Sequence, residues 1–258
     1  MKFKEEYKLT NPKKLFARAN VLRTEKGLYY IIGLGIKIVV DKIINYLWCY
    51  FVYKPFKSLR TFIFRGKKYK YFYHIYNNTW KNERAIEIPI VLDLIKNYRS
   101  KKILEVGNVL SHYFPDFSIA YENYDIVDKY EKSPGVINQD IIEFNSKKKY
   151  DLIISISTIE HVGWNEKPRD QNKIPKALKN LESLLNKDGK IVITFLLGYN
   201  QYLDDLLSNN IIKFTNLYCL KHMIRDNSWK EIDWEIARNT KLGDKLDLLI
   251  IGIIKKIL

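Results

Sequence analysis

Lys101-Lys102-Ile103-Leu104-Glu105-Val106-Gly107-Asn108 is the stretch on which the reading of this chain turns. Ile103, Leu104 and Val106 suit a strand buried on both faces, and Gly107 permits a tight turn and close approach of a ligand. It reads as the first strand of an α/β sheet of the nucleotide-binding kind.

Apolar runs recur downstream. Strands are expected at Ile103 to Val106, Tyr124 to Val127, Gly135 to Ile137, Tyr150 to Ser155, Lys190 to Phe195, Ile211 to Phe214 and Leu246 to Ile253. Between two of them a helix from about Pro175 to Asn186 carries Leu178, Leu181 and Leu185 on one face and ends before Gly189 as its cap. Such alternation implies parallel crossovers. Upstream, Pro89 is expected to open a helix whose Val91, Leu94, Ile95 and Tyr98 recur at i, i+3, i+4, i+7 and cover the sheet. Thr61 to Tyr73 reads as a hairpin turning at Arg65 to Lys68 on Gly66. Its mixture of basic and aromatic residues suits nucleic-acid stacking, but no RNA-binding signature accompanies it, so core or lid use is favoured.

With 258 residues, 47% of them hydrophobic, the chain can fill one full core and is too apolar to be disordered. The net charge is +15, and +14 of it falls in residues 1 to 100, where 21 Lys and Arg face 7 Asp and Glu. That asymmetry calls for an anionic neighbour of the N-terminal region, a membrane surface or nucleic acid, unless it is simply a solvated basic face. Met1 to Lys26 contains no secretory h-region. Cys49 and Cys219 have no metal-like spacing, which suits a reducing cytosol and two buried or idle thiols.

Gly27 to Ile36 and Ile43 to Tyr53 are uncharged, but Lys37, Asp41 and Lys42 separate them and neither run reaches the roughly 18 residues of a spanning helix. Lys37, Asp41 and Asn45 form one stripe of a helix otherwise aliphatic and aromatic. Tyr46, Trp48, Tyr50, Phe51 and Tyr53, followed by Lys54, Lys57 and Arg60, are what a headgroup-level anchor uses. The segment is expected either to lie on the inner face of a membrane or to make an ordinary helix or dimer contact.

In a doubly wound sheet, ligands bind outside the carboxyl ends of the strands. Those ends carry Glu105 and Gly107, then Asp128, then Asp140, then Ser157 to His161. With these residues in place, positions 83 to 200 resemble the class I S-adenosylmethionine-dependent methyltransferases, and looser similarity runs on through the late strands. Glu105-Val106-Gly107 is similar to the family's acid-x-glycine loop, and Asp128 falls where the family has its ribose-binding acid. Asn138-Gln139-Asp140-Ile141 resembles the adenine-contacting segment. Ile159-Glu160-His161-Val162, after the strand ending at Ser155, is similar to the Leu-Glu-His-Val run of many small-molecule members.

The resemblance implies an α/β, Rossmann-like, doubly wound, mostly parallel seven-stranded sheet spanning residues 83–258. Residues 61–82 form the hairpin and an aromatic lid, and residues 1–60 a basic, amphipathic helical extension. It also implies a methyltransferase using S-adenosyl-L-methionine, with Glu105, Gly107, Asn108, Asp128, Asp140, Ile141 and Ser157 around the cofactor. A carboxylate at Asp128 accepts from two vicinal hydroxyls better than a neutral group does. Glu105 would take the amino group of the methionine moiety or, on the plainer reading, cap the following turn. Methyl transfer from a sulfonium needs alignment and a group to take the acceptor's proton, for which His161, then Glu160, are the candidates.

The chain departs from the family in its first loop, where Asn108 and Val109 stand in place of further glycine. Asn108 tolerates left-handed geometry, whereas Val109 would crowd a cofactor. Ser157 replaces the first acid of the family's metal-holding run, so no metal is expected. The acceptor is expected to be a small molecule or a lipid- or glycan-linked group. A catalytically degenerate relative that docks to a membrane or partner is the alternative. A nicotinamide-dependent dehydrogenase is disfavoured by the missing G-x-G-x-x-G, which Gly33-Leu34-Gly35 does not supply. Nucleic-acid methylation is disfavoured because no base-flipping tetrapeptide is present.

Overall fold

The computed structural model describes residues 22–57, 59–117, 121, 123–241 and 247–256. Residues 1–21 of the expected basic extension, and Leu246 at the head of the expected last strand, lie outside them. The chain divides into two compact units, Met1–Phe56 and Lys57–Leu258.

In the first unit, helix α1 (Leu28–Leu47) is continued by a π-helical stretch, Trp48–Lys57, which contains Pro55. No side chain of α1 is buried. Tyr29, Ile36, Val39, Ile43, Tyr46 and Leu47 are among its exposed apolar residues. Asp41 and Asn45 of the expected polar stripe are half-buried, together with Ile31, Leu34 and Ile38. Among the described residues, no helix is long and apolar enough to cross a membrane.

The second unit opens with the hairpin of β1 (Thr61–Phe64) and β2 (Lys67–Lys70), turning at Arg65 and Gly66, both with positive φ. Helix α2 (Arg84–Ile95) follows. Pro89 does not open it; the proline lies inside. Its missing N–H would leave the Ala85 carbonyl four residues back without a helical donor. Phe72 N–H fills that vacancy at 2.9 Å, so a neighbouring segment takes over what the proline gave up.

The main sheet comprises β3 (Ile103–Val106), β4 (Tyr124–Val127), β5 (Val136–Ile137), β6 (Tyr150–Ile156), β7 (Leu185–Leu196), β8 (Asn216–Met223), β9 (Ser228–Ile232) and β10 (Leu248–Lys255). It has eight strands rather than seven, in the order β5-β4-β3-β6-β7-β10-β8-β9. The five strands from β5 to β7 are mutually parallel, and β10, β8 and β9 join by antiparallel pairings. The first five follow the 3-2-1-4-5 order of a doubly wound sheet, whose order reverses between β3 and β6.

Two local expectations are corrected. Ile211 to Phe214 is not a strand; the strand begins at Asn216 and returns as β9 after a turn in which Asn227 has φ 52°. Phe214 instead packs its ring over Gly252 of β10, where an added Cβ would come within 2.4 Å of it. Helix α3 (Lys173–Ser183) ends at a Leu184 cap, and Gly189 lies inside β7, where a Cβ would meet the Tyr150 carbonyl oxygen at 2.7 Å.

Helices α3, α4 (Gln201–Ser208) and α5 (Trp234–Arg238) cover one face, with Leu181, Leu203 and Ala237 packed on Leu104, Ile153, Ile193 and Phe195. Alternation along a strand sends Ile103, Glu105, Ile154 and Thr194 to the other face. There α2 buries Ile86, Ile88, Ile90 and Ile95.

Candidate functional site

At the switch point, the loop after β3 meets the loop after β6. Gly107 has φ +85°, and a Cβ on it would lie 2.3 Å from Thr158 Oγ1. The glycine is thus required by the protein's own packing. Glu105 is completely buried, and its carboxylate is occupied by that same loop. Oε1 accepts from the Val109 and Leu110 amides at 3.0 and 2.9 Å, and Oε2 accepts from Tyr124 Oη at 2.9 Å. Burial raises its pKa to about 7 against the pull of those donors. These contacts are those of the plainer reading, in which Glu105 caps the following turn.

Asp128 is half-buried at the end of β4. Oδ1 accepts from the Tyr130 and Glu131 amides, both at 2.8 Å, and Oδ2 from the Asn108 amide at 3.2 Å. Asp128 therefore ties the first two strand-end loops together. Asn108 is buried and does not use the left-handed geometry it would tolerate; Ser157 is the residue of the site set that adopts it without being glycine, at φ 38°. Asn108 Nδ2 donates to Glu131 Oε1, and Ser111 Oγ donates to Asn108 Oδ1. Glu131 Oε2 lies 3.1 Å from His112 Nε2, and Tyr76 stacks on the His112 ring at 4.8 Å. The aromatic stretch before α2 thus roofs this loop, as Phe72 and His74 also pack on Tyr113.

The expected adenine contacts are otherwise engaged. Asp140 Oδ2 holds Lys129 Nζ at 2.8 Å and Lys173 Nζ at 3.1 Å, and Glu166 bridges the same two lysines. Burial opposes ionisation of Asp140, but Lys129, the Ile142 amide and Lys173 outweigh it and hold the carboxyl below its ordinary value. Ile141 is a core residue, packed in the α3 face, with its carbonyl accepting from Asn180 Nδ2.

After β6, Ser157 is pinned from three sides. Its amide donates to Thr194 O and Oγ1, and its hydroxyl donates to Glu87 Oε1 at 2.6 Å. Glu87 Oε2 pairs with Arg84 Nη1 at 3.1 Å, and that nitrogen also reaches the Ile156 carbonyl. Glu160 is 2% exposed; its carbonyl accepts from Asn200 Nδ2. Burial foremost, with Glu87 beside it, pushes its carboxyl well above the ordinary value. His161 is half-buried, its Nδ1 2.8 Å from Asn165 Nδ2 and its ring edge-on to Tyr199.

The structure therefore gathers Glu105, Gly107, Asn108, Asp128, Ser157, Glu160 and His161 at the strand ends. It turns Asp140 to an ion cluster and Ile141 to the core. Sequence reasoning missed Arg84, Glu87, Glu131 and Asn200. Arg84 and Glu87 share a helical face at i, i+3, but nothing local signals that this face is buried. Two surface depressions lie elsewhere. One of about 490 Å³, lined by Tyr98, Lys101, Asp151 and Asp188, is at the amino ends of the strands, and the other is beside β8 and β9.

No protein-family model matches the chain, and no curated protein matches it. Solved structures resemble it loosely. The N-methyltransferase NodS from Bradyrhizobium japonicum WM9, in complex with S-adenosyl-L-homocysteine, is 10% identical, with 68% of this chain and 88% of that one covered at a TM-score of 0.46. The 1,6-didemethyltoxoflavin-N1-methyltransferase of Burkholderia thailandensis is 12% identical, with 72% and 84% covered at 0.45. The plantazolicin methyltransferase BpumL, in complex with S-adenosylhomocysteine, is 16% identical, with 66% and 82% covered at 0.38. Likeness this loose carries no argument about activity.

Proposed function

We propose that the chain is an S-adenosyl-L-methionine-dependent methyltransferase acting on a small-molecule or lipid- or glycan-linked acceptor at a cytoplasmic membrane face. The observation that carries the reading is Asp128, a half-buried carboxylate at the carboxyl end of the strand next to β3, beside the Gly107 turn at the switch point.

The residues fit the cofactor at two points. Asp128 Oδ2 receives one long hydrogen bond, at 3.2 Å, and keeps acceptor capacity for ribose hydroxyls. Glu160 Oε2 is a buried oxygen without a partner among the described residues, which suits a site meant to receive a polar group. When bound, the cofactor supplies an activated methyl group on a sulfonium. The chain's own part is to hold and exclude water. Glu105 fixes the loop, the 72–76 segment and Tyr113 cover it, and His161 takes the acceptor's proton. For that last role the imidazole needs its Nε2 lone pair, so Nδ1 must carry the proton and the Asn165 amide must present its oxygen.

Calorimetric titration with S-adenosylhomocysteine tests the reading. Binding by the wild type, weakened at least tenfold by Asp128→Ala, is expected; no binding would refute it. The membrane part is supported by the exposed apolar residues of α1 and by the basic first hundred residues. Flotation with phosphatidylserine vesicles tests it. The full chain should float and a chain starting at Lys57 should not.

A further inference from the structure

The α2 face of the sheet buries three carboxyl groups at the switch point, Glu87, Glu105 and Glu160, exposed by 0, 0 and 2%. Among the described residues, Arg84 is the one buried cation beside them. Two of the three acids have a hydrogen-bond partner on each oxygen. Glu105 accepts from two amides and a tyrosine, and Glu87 from Arg84 and Ser157.

Glu160 is left over, with Oε2 buried and without a hydrogen-bond partner among the described residues. An orphaned buried acceptor costs on the order of 1–3 kcal/mol, and a polar oxygen kept so calls for an explanation. This one sits just past the carboxyl end of β6, on the short turn Ile159–His161 that also carries the half-exposed His161. That is where a doubly wound sheet places its ligand.

We infer that Glu160 receives a positively charged group of the bound ligand, an ammonium or a sulfonium, and so gives a second cation to a buried cluster of three carboxyl groups and one guanidinium. The inference rests on the cofactor reading above and deepens it, since it moves the amino-group role from Glu105 to Glu160. Two groups of this chemistry are at hand, the α-ammonium and the sulfonium of S-adenosylmethionine. The groups facing Glu160 are Glu83 at the N-terminal cap of α2, Arg84 and Glu87 within it, and its own backbone amide. Burial foremost, with Glu87 beside it, favours the protonated carboxyl, so an arriving cation should shift it toward the ionised form and send a proton to solvent.

The test is calorimetry of the full chain at pH 7 in buffers of different ionisation enthalpy, which counts protons released per ligand. The probes are S-adenosylmethionine, S-adenosylhomocysteine and 5′-methylthioadenosine, which lacks both charges. Release of about one proton with the first two and none with the third assigns the ammonium. Release with S-adenosylmethionine alone assigns the sulfonium. In either case Glu160→Gln should abolish the release while leaving 5′-methylthioadenosine affinity within twofold. Binding of the charged ligands without proton release overturns the inference and leaves the methyltransferase reading standing; no binding of any probe overturns both. Should Glu160→Gln fail to fold, the wild-type proton count still decides.

Discussion

Helices α1 and α2 are both rich in isoleucine and leucine, yet α1 buries none of its 20 residues and α2 buries eight of its 12. Even Arg84 and Glu87 of α2 lie inside, paired with each other. Apolar composition sets how much surface a helix would gain by hiding, and the neighbours on each side set how much it does hide. α2 is enclosed because it lies on a sheet face and the 72–76 segment packs against it. Its stability belongs to tertiary contacts, whereas many apolar residues of α1 are exposed.

The contrast can be broken most forcefully at Arg84. Arg84→Met removes the cation from a buried acid cluster and should lower unfolding stability by about 3–5 kcal/mol in urea titration. Lys37→Met in α1, an exposed site, should change it by less than about 0.5 kcal/mol. A matched pair of truncations comes next. Ile90→Ala in α2, 1% exposed, should cost about 3 kcal/mol, and Ile36→Ala in α1, 60% exposed, should leave the same transition unmoved. Equal effects at the two sites would mean that α1 is buried in solution.

The pH dependence of the α2 face gives a third probe. The Glu105 pKa is raised from 4.5 to about 7, so its contribution to stability is fully present below about 4.5 and lost as pH rises through about 7. A shift of this size corresponds to on the order of 3 kcal/mol. Glu105→Gln should flatten the difference in urea midpoint between pH 4.5 and 7.5 accordingly, while Glu87 and Glu160, raised in the same direction, retain part of the slope. Within the second unit, the smallest effect belongs to the solvent side of α2. Lys67, mostly exposed, grips Asp93 at 2.6 Å, and Lys67→Met should cost no more than about 1 kcal/mol.

Strands β3 and β4 were legible to the residue because a short, mainly apolar run followed by glycine or an acid has one reading in an alternating chain. The late antiparallel strands were less so. The β8–β9 hairpin carried a signal in Asp226-Asn227 between two half-buried runs, but Ile211 to Phe214 offered a more apolar decoy. Of the site, the order of acids at the strand ends could be read from spacing. Their occupations could not, because Glu105, Asp128 and Asp140 are distinguished by which donors surround them, and those come from the tyrosine at 124, the amides of two loops and the lysines at 129 and 173.

The sequence by itself determined the parallel half of the sheet, the glycine turn and the residues that arrive at its carboxyl edge, because strand period and turn chemistry are local. Only the tertiary structure decided that Glu105 serves the loop, that Asp140 serves two lysines and that Glu160 is left with an unmet oxygen. Charge satisfaction is a property of the whole neighbourhood. Arg84 and Glu87 come to the β6 edge from a helix some 70 residues upstream, and no pattern within that helix announces where it will dock.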